Sequence, residues 1–195
     1  MAGRLSDNLP LVLFGITLLY VSMADIMRTY VKALVIQGCL LLVVSLTHVK
    51  YVGMLHTIII ALEVVVVKVV VIPFFIMYTS RKLDIQSDGS SSKEGYLSIA
   101  AAATAMFLAI SVTSALGLGL AISAVFIGMF IMTTRKRPIT HVIGYVVMGN
   151  GVFLMSLMLT SPALIVEAGM LLDVLAGVFI VGIFFNGIKS CLPAG

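Results

Sequence analysis

The chain has 195 residues, of which 61% are hydrophobic and only 10% charged, against roughly 45–50% and 25% in a soluble domain. A soluble globule is excluded, because runs such as Leu97 to Met132 hold no charge and their natural solvent is lipid. The net charge of +4 does not point to nucleic acid: no basic face with interleaved aromatics occurs, and Lys and Arg cluster between apolar runs as topology signals.

A spanning helix needs about 20 mainly apolar residues, and the charges divide the sequence into segments of that size. Met1 to Pro10 carries one Arg, one Asp and no small-residue cleavage site, so the first span, Leu9 to Met27, reads as a retained helix. Arg28, Tyr30 and Lys32 predict a short polar turn, and Ala33 to Thr47 a second span that ends at His48 and Lys50. Val52 to Met77 is the third. Thr79 to Gly95, with its IQSDGSSSKEG stretch, reads as a loop too polar to bury itself. Leu97 to Met132 is apolar for 36 residues, enough for a helical hairpin with its corner at Ser114 to Gly119. The basic TTRKRP at Thr133 to Pro138 follows, then Ile139 to Leu159, a turn at Thr160 to Pro162, and a last span from Ala163 to Ile188. The expected fold is an all-α integral membrane protein of seven transmembrane helices.

The positive-inside rule tests that count. With seven spans the N-terminal side carries Arg4 and Lys50, and the other side carries Arg28, Lys32, Arg81, Lys82, Lys93, Arg135, Lys136, Arg137 and Lys189, two against nine. A single span over 97–132 would move Arg135 to Arg137 and Lys189 across and nearly abolish the bias. The expected topology therefore places the N-terminus outside and the C-terminus in the cytoplasm. The chain divides into a three-helix segment (1–78), a cytoplasmic loop (79–96), the hairpin (97–132) and a C-terminal two-helix segment (133–195).

Charges inside a span cost about 2.5–3.5 kcal/mol each on insertion scales, so those that persist are candidate functional groups. Glu63 and Lys68 lie on the third helix, Asp173 lies near the middle of the seventh, and Glu167 about 9 Å nearer the outer end. Met148-Gly149-Asn150-Gly151 falls at the centre of the sixth helix, with Asn150 an interhelical hydrogen bonder or a link in a water chain. Three helices thus bring polar groups to one depth, which suits a hydrated proton or cation path through Glu63, Lys68, Asn150, Glu167 and Asp173. The competing reading is that each is a packing charge satisfied by a neighbour. In an α-helix Glu63 and Lys68, five residues apart, point about 140° away from each other, so each needs a partner elsewhere. Gly149 and Gly151 read as close-packing glycines, and Pro73 predicts a kink beside Lys68.

Cys39 and Cys191 form no metal or disulfide pattern, and His48, His56 and His141 have no ligand-like spacing, so no metal is expected. Neither a phosphate-cradling loop, a haem-like histidine pair, nor a nucleophile with its base occurs, so no cofactor and no catalytic or redox centre is expected.

Arg28 with Gln37, the block from Lys68 through Pro73 to Arg81 (KVVVIPFFIMYTSR), IGYVVMGNG at Ile143 to Gly151, and VEAGMLLD at Val166 to Asp173 occur in an order that resembles hydrogenase-4 component E. Members of that family are seven-helix subunits in the membrane arm of formate hydrogenlyase-type and related group 4 nickel-iron hydrogenases. Their last three helices, beginning here near residue 118, are similar to the small three-helix K subunit of respiratory complex I and to its counterpart in Mrp-type cation/proton antiporters. The resemblance implies a subunit that contributes protonatable groups at Lys68, Glu167 and Asp173. It also implies partnership with antiporter-like and nickel-iron hydrogenase subunits, and with lipid, in a prokaryotic cell (inner) membrane. The family usually has Met-Glu-Asn-Gly where this chain has Met148-Gly149-Asn150-Gly151, so Glu63 is a candidate replacement for the missing carboxylate. The alternatives are a purely structural helix bundle that joins larger subunits, or a small independent ion transporter.

Overall fold

The computed structural model describes residues 2–48, 58, 61–82, 92–113, 115–159 and 171–183, and these are almost wholly helical. The helices are α1 (Ala2–Met23), α2 (Met27–His48), α3 (Ala61–Lys82), α4 (Ser92–Thr113), α5 (Leu116–Thr134), α6 (Pro138–Met158) and α7 (Leu171–Ile183). Five of them, α2 to α6, are long and apolar enough to cross a membrane, while the apolar part of α1, Asn8–Met23, and the described part of α7 are shorter. The outward surface is as apolar as the interior: Phe107 is 72% and Val112 83% exposed. Helices that are hydrophobic all round in this way belong in lipid.

Serine and threonine enter these helices at little cost because their hydroxyls bond backward into the same helix. Ser22 donates to Leu18 O at 3.0 Å, Ser123 to Gly119 O at 2.6 Å and Thr17 to Phe14 O at 2.7 Å.

Between α4 and α5 the chain reverses direction, with Ala115 extended (φ −121, ψ 117) ahead of Leu116. Leu97 and Ser98 share a pocket with Phe130 and Thr134, while Gly119 lies against Ile110 and Thr113, so the two helices run antiparallel as a hairpin. The second helix of the hairpin already begins at Leu116, within the expected corner of Ser114 to Gly119. Gly117 and Gly119 are helical and serve packing instead: a Cβ on Gly119 would come within 2.7 Å of Ile110 Cα.

α5 and α6 also run antiparallel, and glycines let their backbones touch. A Cβ on Gly128 would meet Gly144 O at 2.5 Å, one on Gly144 would meet Gly128 O at 2.7 Å, and one on Gly151 would meet Ala121 O at 2.7 Å. Lipid supplies no hydrophobic force to press helices together, so such small-residue seams hold them by close van der Waals contact.

One ion pair ties the connections at one end of the bundle. Arg135, after α5, donates to Asp25, between α1 and α2, at 2.9 Å, and to Ser22 O at 3.1 Å. His141 Nε2 lies 2.7 Å from Arg135 O. The 24–26 and 135–137 connections therefore share an end, as an even number of crossings between them demands.

Three boundaries differ from the sequence expectation. Arg28, Tyr30 and Lys32 are not a turn but the first turns of α2. Arg28 and Lys32, one helical turn apart, stay exposed, while Tyr30 faces the other way and is fully buried. The real break is Ala24 to Ile26, so α1 ends at Met23 and not at Met27. The expected loop is also shorter: α3 continues to Lys82 with Thr79 and Ser80 buried, and α4 begins at Ser92. The expected turn at Thr160 to Pro162, Glu167 and His56 lie outside the described residues.

Candidate functional site

Residues Val64–Val71 of α3 form a π-helix, in which Ile72 N–H donates to Val67 O, five residues back. Pro73 explains the location: it has no N–H to give, and its ring crowds the carbonyl four residues earlier. The β-branched valines VVVVKVVV add crowding within an α-helical turn. Pro73 thus acts through a widened turn beside Lys68.

The π turn corrects the expected 140° separation of Glu63 and Lys68. With i→i+5 bonding a turn holds more residues, and positions five apart come nearly into line. Both side chains are buried, 8% and 3% exposed, and both face α7. There Lys68 Nζ donates to Asp173 Oδ1 at 2.9 Å, and the Glu63 carboxyl comes within hydrogen-bonding reach of Asp173. The third helix therefore presents a carboxyl and an ammonium to one acid of the seventh.

The sixth and second helices close the cluster. The Phe153 ring of α6 lies under the ammonium, 5.4 Å from its centroid to Nζ, a cation–π placement. One turn earlier Asn150 Nδ2 donates to Gln37 Oε1 of α2 at 3.1 Å, with both residues almost fully buried. A Cβ added at Gly38, next in sequence to Gln37, would come within 2.9 Å of Val69 Cγ2 and 3.6 Å of the Lys68 backbone, so a glycine on α2 lets α3 approach closely beside Lys68. Tyr145, a turn before Gly149 on α6, stacks edge-on with Phe179 of α7 at 5.7 Å.

Several buried polar atoms here have no hydrogen-bond partner among the described residues: Glu63 Oε1, Asp173 Oδ2, Asn150 Oδ1, Gln37 Nε2 and the Tyr145 hydroxyl. Unpaired polar atoms are costly in an apolar interior, and their concentration on four adjoining helices marks a place that can bind water.

Of the five residues expected to form a path, Glu63, Lys68 and Asp173 meet directly, while Asn150 pairs with Gln37 one turn from Phe153 on α6. Glu167 lies outside the described residues. Sequence reasoning did not pair Gln37 with Asn150, although a glutamine inside the apolar run Ala33 to Thr47 is a signal of the same kind as Asn150. Gly149 differs from expectation. A Cβ there would meet only Leu172 atoms, at 3.8 and 3.9 Å, which is ordinary contact, so close packing does not require glycine at 149 as it does at 151.

The fold and site define an all-helical protein with the helices of a membrane protein and a buried acid–lysine–acid cluster at its centre. By sequence the chain is similar to an uncharacterized protein of Mycobacterium tuberculosis, Rv0085, with 34% identity over 70 residues. That stretch is 35% of this chain and 32% of the relative, so the match spans about a third of each. No family model and no solved structure matches the chain.

Proposed function

We propose that the chain is a seven-span membrane subunit that contributes to moving protons or cations through Glu63, Lys68 and Asp173. The complex would be a complex I-like membrane-bound hydrogenase or a related oxidoreductase. The observation that carries this reading is the Lys68–Asp173 ion pair with a second carboxyl against it in the apolar interior. Two carboxyls facing one ammonium leave a negative charge over unless one proton is bound, and an uncompensated charge at that depth is expensive. The cluster is thus neutral with a proton aboard and becomes anionic when it releases it. A packing pair has no use for the additional carboxyl. The open hydrogen-bonding positions on Asn150, Gln37 and Tyr145 offer water sites leading away from it.

In this reading the N-terminus lies outside and the C-terminus in the cytoplasm of a prokaryotic cell, as the two-to-nine distribution of Lys and Arg favours. Electron transfer belongs to nickel-iron hydrogenase subunits, and antiporter-like subunits continue the path through the membrane. Glu63 takes the place of the acid that the hydrogenase-4 component E family carries at the position of Gly149. The proximity supports that exchange, since a side chain at 149 would point toward Leu172, the neighbour of the same Asp173 that Glu63 reaches.

Purification of the tagged chain in mild detergent, with identification of co-purifying polypeptides, tests the assignment. Recovery of nickel-iron hydrogenase and antiporter-like chains is the expected result. Isolation as a lone homodimer would overturn it in favour of an independent transporter.

A further inference from the structure

At the end of the bundle that carries the Asp25–Arg135 pair, α2 and α3 part to leave an open groove. Its upper section, about 520 Å³, is lined by Arg28, Lys32 and Arg81 over Val35, Ile36 and Met77. A second section of about 460 Å³ shares Val31, Met77 and Arg81 with the first and continues along α3 past Tyr78, Phe74 and Val70. Both walls therefore change from basic to apolar in the same direction. Arg28 and Lys32 are one turn apart on α2, and Arg81 faces them from α3. All three are exposed, and none has an ion-pair partner among the described residues. Among the described residues no acidic side chain lines either section.

We propose that this groove binds one anionic phospholipid, with its phosphate held by Arg28, Lys32 and Arg81 and an acyl chain lying along Met77, Phe74 and Val70. The charge of the three cations calls for an anion, and the continuous apolar floor distinguishes a lipid from a free phosphate, which has nothing to place there. Tyr78, stacked on Phe74 with ring centroids 6.3 Å apart, adds a ring of the kind that settles at headgroup depth. Basic pockets between spanning helices recognise anionic headgroups in this way. The proposal rests on the helices crossing a membrane and is independent of the proton path and of which side the groove faces.

Native mass spectrometry of the full chain in detergent, titrated with phosphatidylglycerol, phosphatidylcholine of the same acyl chains, or inorganic phosphate, tests it. The expected result is one retained phosphatidylglycerol, weak phosphatidylcholine binding, and no displacement by millimolar phosphate. Equal retention of the two lipids, or displacement by phosphate, would overturn the proposal in the wild-type chain alone. Arg28→Gln with Lys32→Gln and Arg81→Gln should weaken phosphatidylglycerol binding roughly 100-fold, about 1 kcal/mol for each basic side chain. Lys136→Gln with Arg137→Gln, which removes charge outside the groove, should leave it within about twofold. Equal losses in the two variants would reduce the effect to bulk charge and sink the specific site.

Discussion

Lys68 and Asp173 stand 105 residues apart in the chain and 2.9 Å apart in space, and theirs is the one fully buried ion pair among the described residues. Removing one partner strands the other in an apolar interior, at a cost of about 3–5 kcal/mol, whereas replacing both with apolar groups can be neutral. Lys68→Met and Asp173→Leu should each lower the thermal stability of the detergent-solubilised protein, and the double variant should regain most of the loss. In vesicles that couple turnover to proton movement, the double variant should remain defective. Recovery of coupling together with stability would reduce the pair to packing.

Glu63→Gln separates charge from shape at the same site. Glutamine keeps the volume and the hydrogen bonding but cannot release a proton at working pH. It stands in for the protonated acid of the neutral cluster, so stability should hold while proton translocation falls. A Glu63→Gln protein that assembles and couples as well as the parent would show that α3 does not carry the acid of the path.

The glycines of α6 make a contrast two residues apart. A methyl group at Gly151 would press on Ala121 O at 2.7 Å, Ala124 Cβ at 2.8 Å and Val125 N at 2.9 Å, so Gly151→Ala should destabilise by about 1–3 kcal/mol. At Gly149 the same methyl meets only ordinary contacts, and Gly149→Ala should be neutral or stabilising by up to about 1 kcal/mol through helix propensity. Unfolding of the two variants in a common detergent checks the pair.

At the end tied by Arg135, loss of the guanidinium leaves the Ser22 carbonyl and Asp25 without that donor, whereas Asp25 alone is partly solvated, its side chain 39% exposed. Arg135→Gln should therefore cost about 1–3 kcal/mol, and Asp25→Asn about 1 kcal/mol or less. Similar losses in thermal stability for the two would contradict this ordering.

The orientation has its own test. If the 83–91 region is cytoplasmic, an impermeant thiol reagent should fail to label Ser91→Cys in intact cells and should label it in inverted vesicles. Ready labelling in intact cells would reverse the topology.

Much of the helical layout was legible because charge and length act locally: no charge interrupts Leu97 to Met132, and 36 residues exceed a single span. The break before α2 falls earlier than the charges suggest, for an equally local reason. Arg28 and Lys32 looked like a turn, yet two cations on one face of a helix end can stay in water while Tyr30 is buried opposite them. The site's residues were visible as polar intrusions into apolar runs, but their pairing was not. Gln37 and Asn150 lie 113 residues apart, and α-helical periodicity turned Glu63 away from Lys68. The widened turn that aligns them depends on Pro73 and on the packing of α2 against α3, which a periodicity of 3.6 does not encode.

The glycine seam between α5 and α6 has a mechanical consequence. Where the backbone of one helix rests on carbonyls of the other, at Gly128, Gly144 and Gly151, sliding or rotation would drive main-chain atoms together, so the two helices form a stiff strut. The contacts of α6 with its polar partners are of another kind: an aromatic face under Lys68 and an amide tip on Gln37. These can be made and broken by side-chain rotation. Side-chain rearrangements around the Lys68–Asp173 pair would therefore take place against the stiff α5–α6 wall.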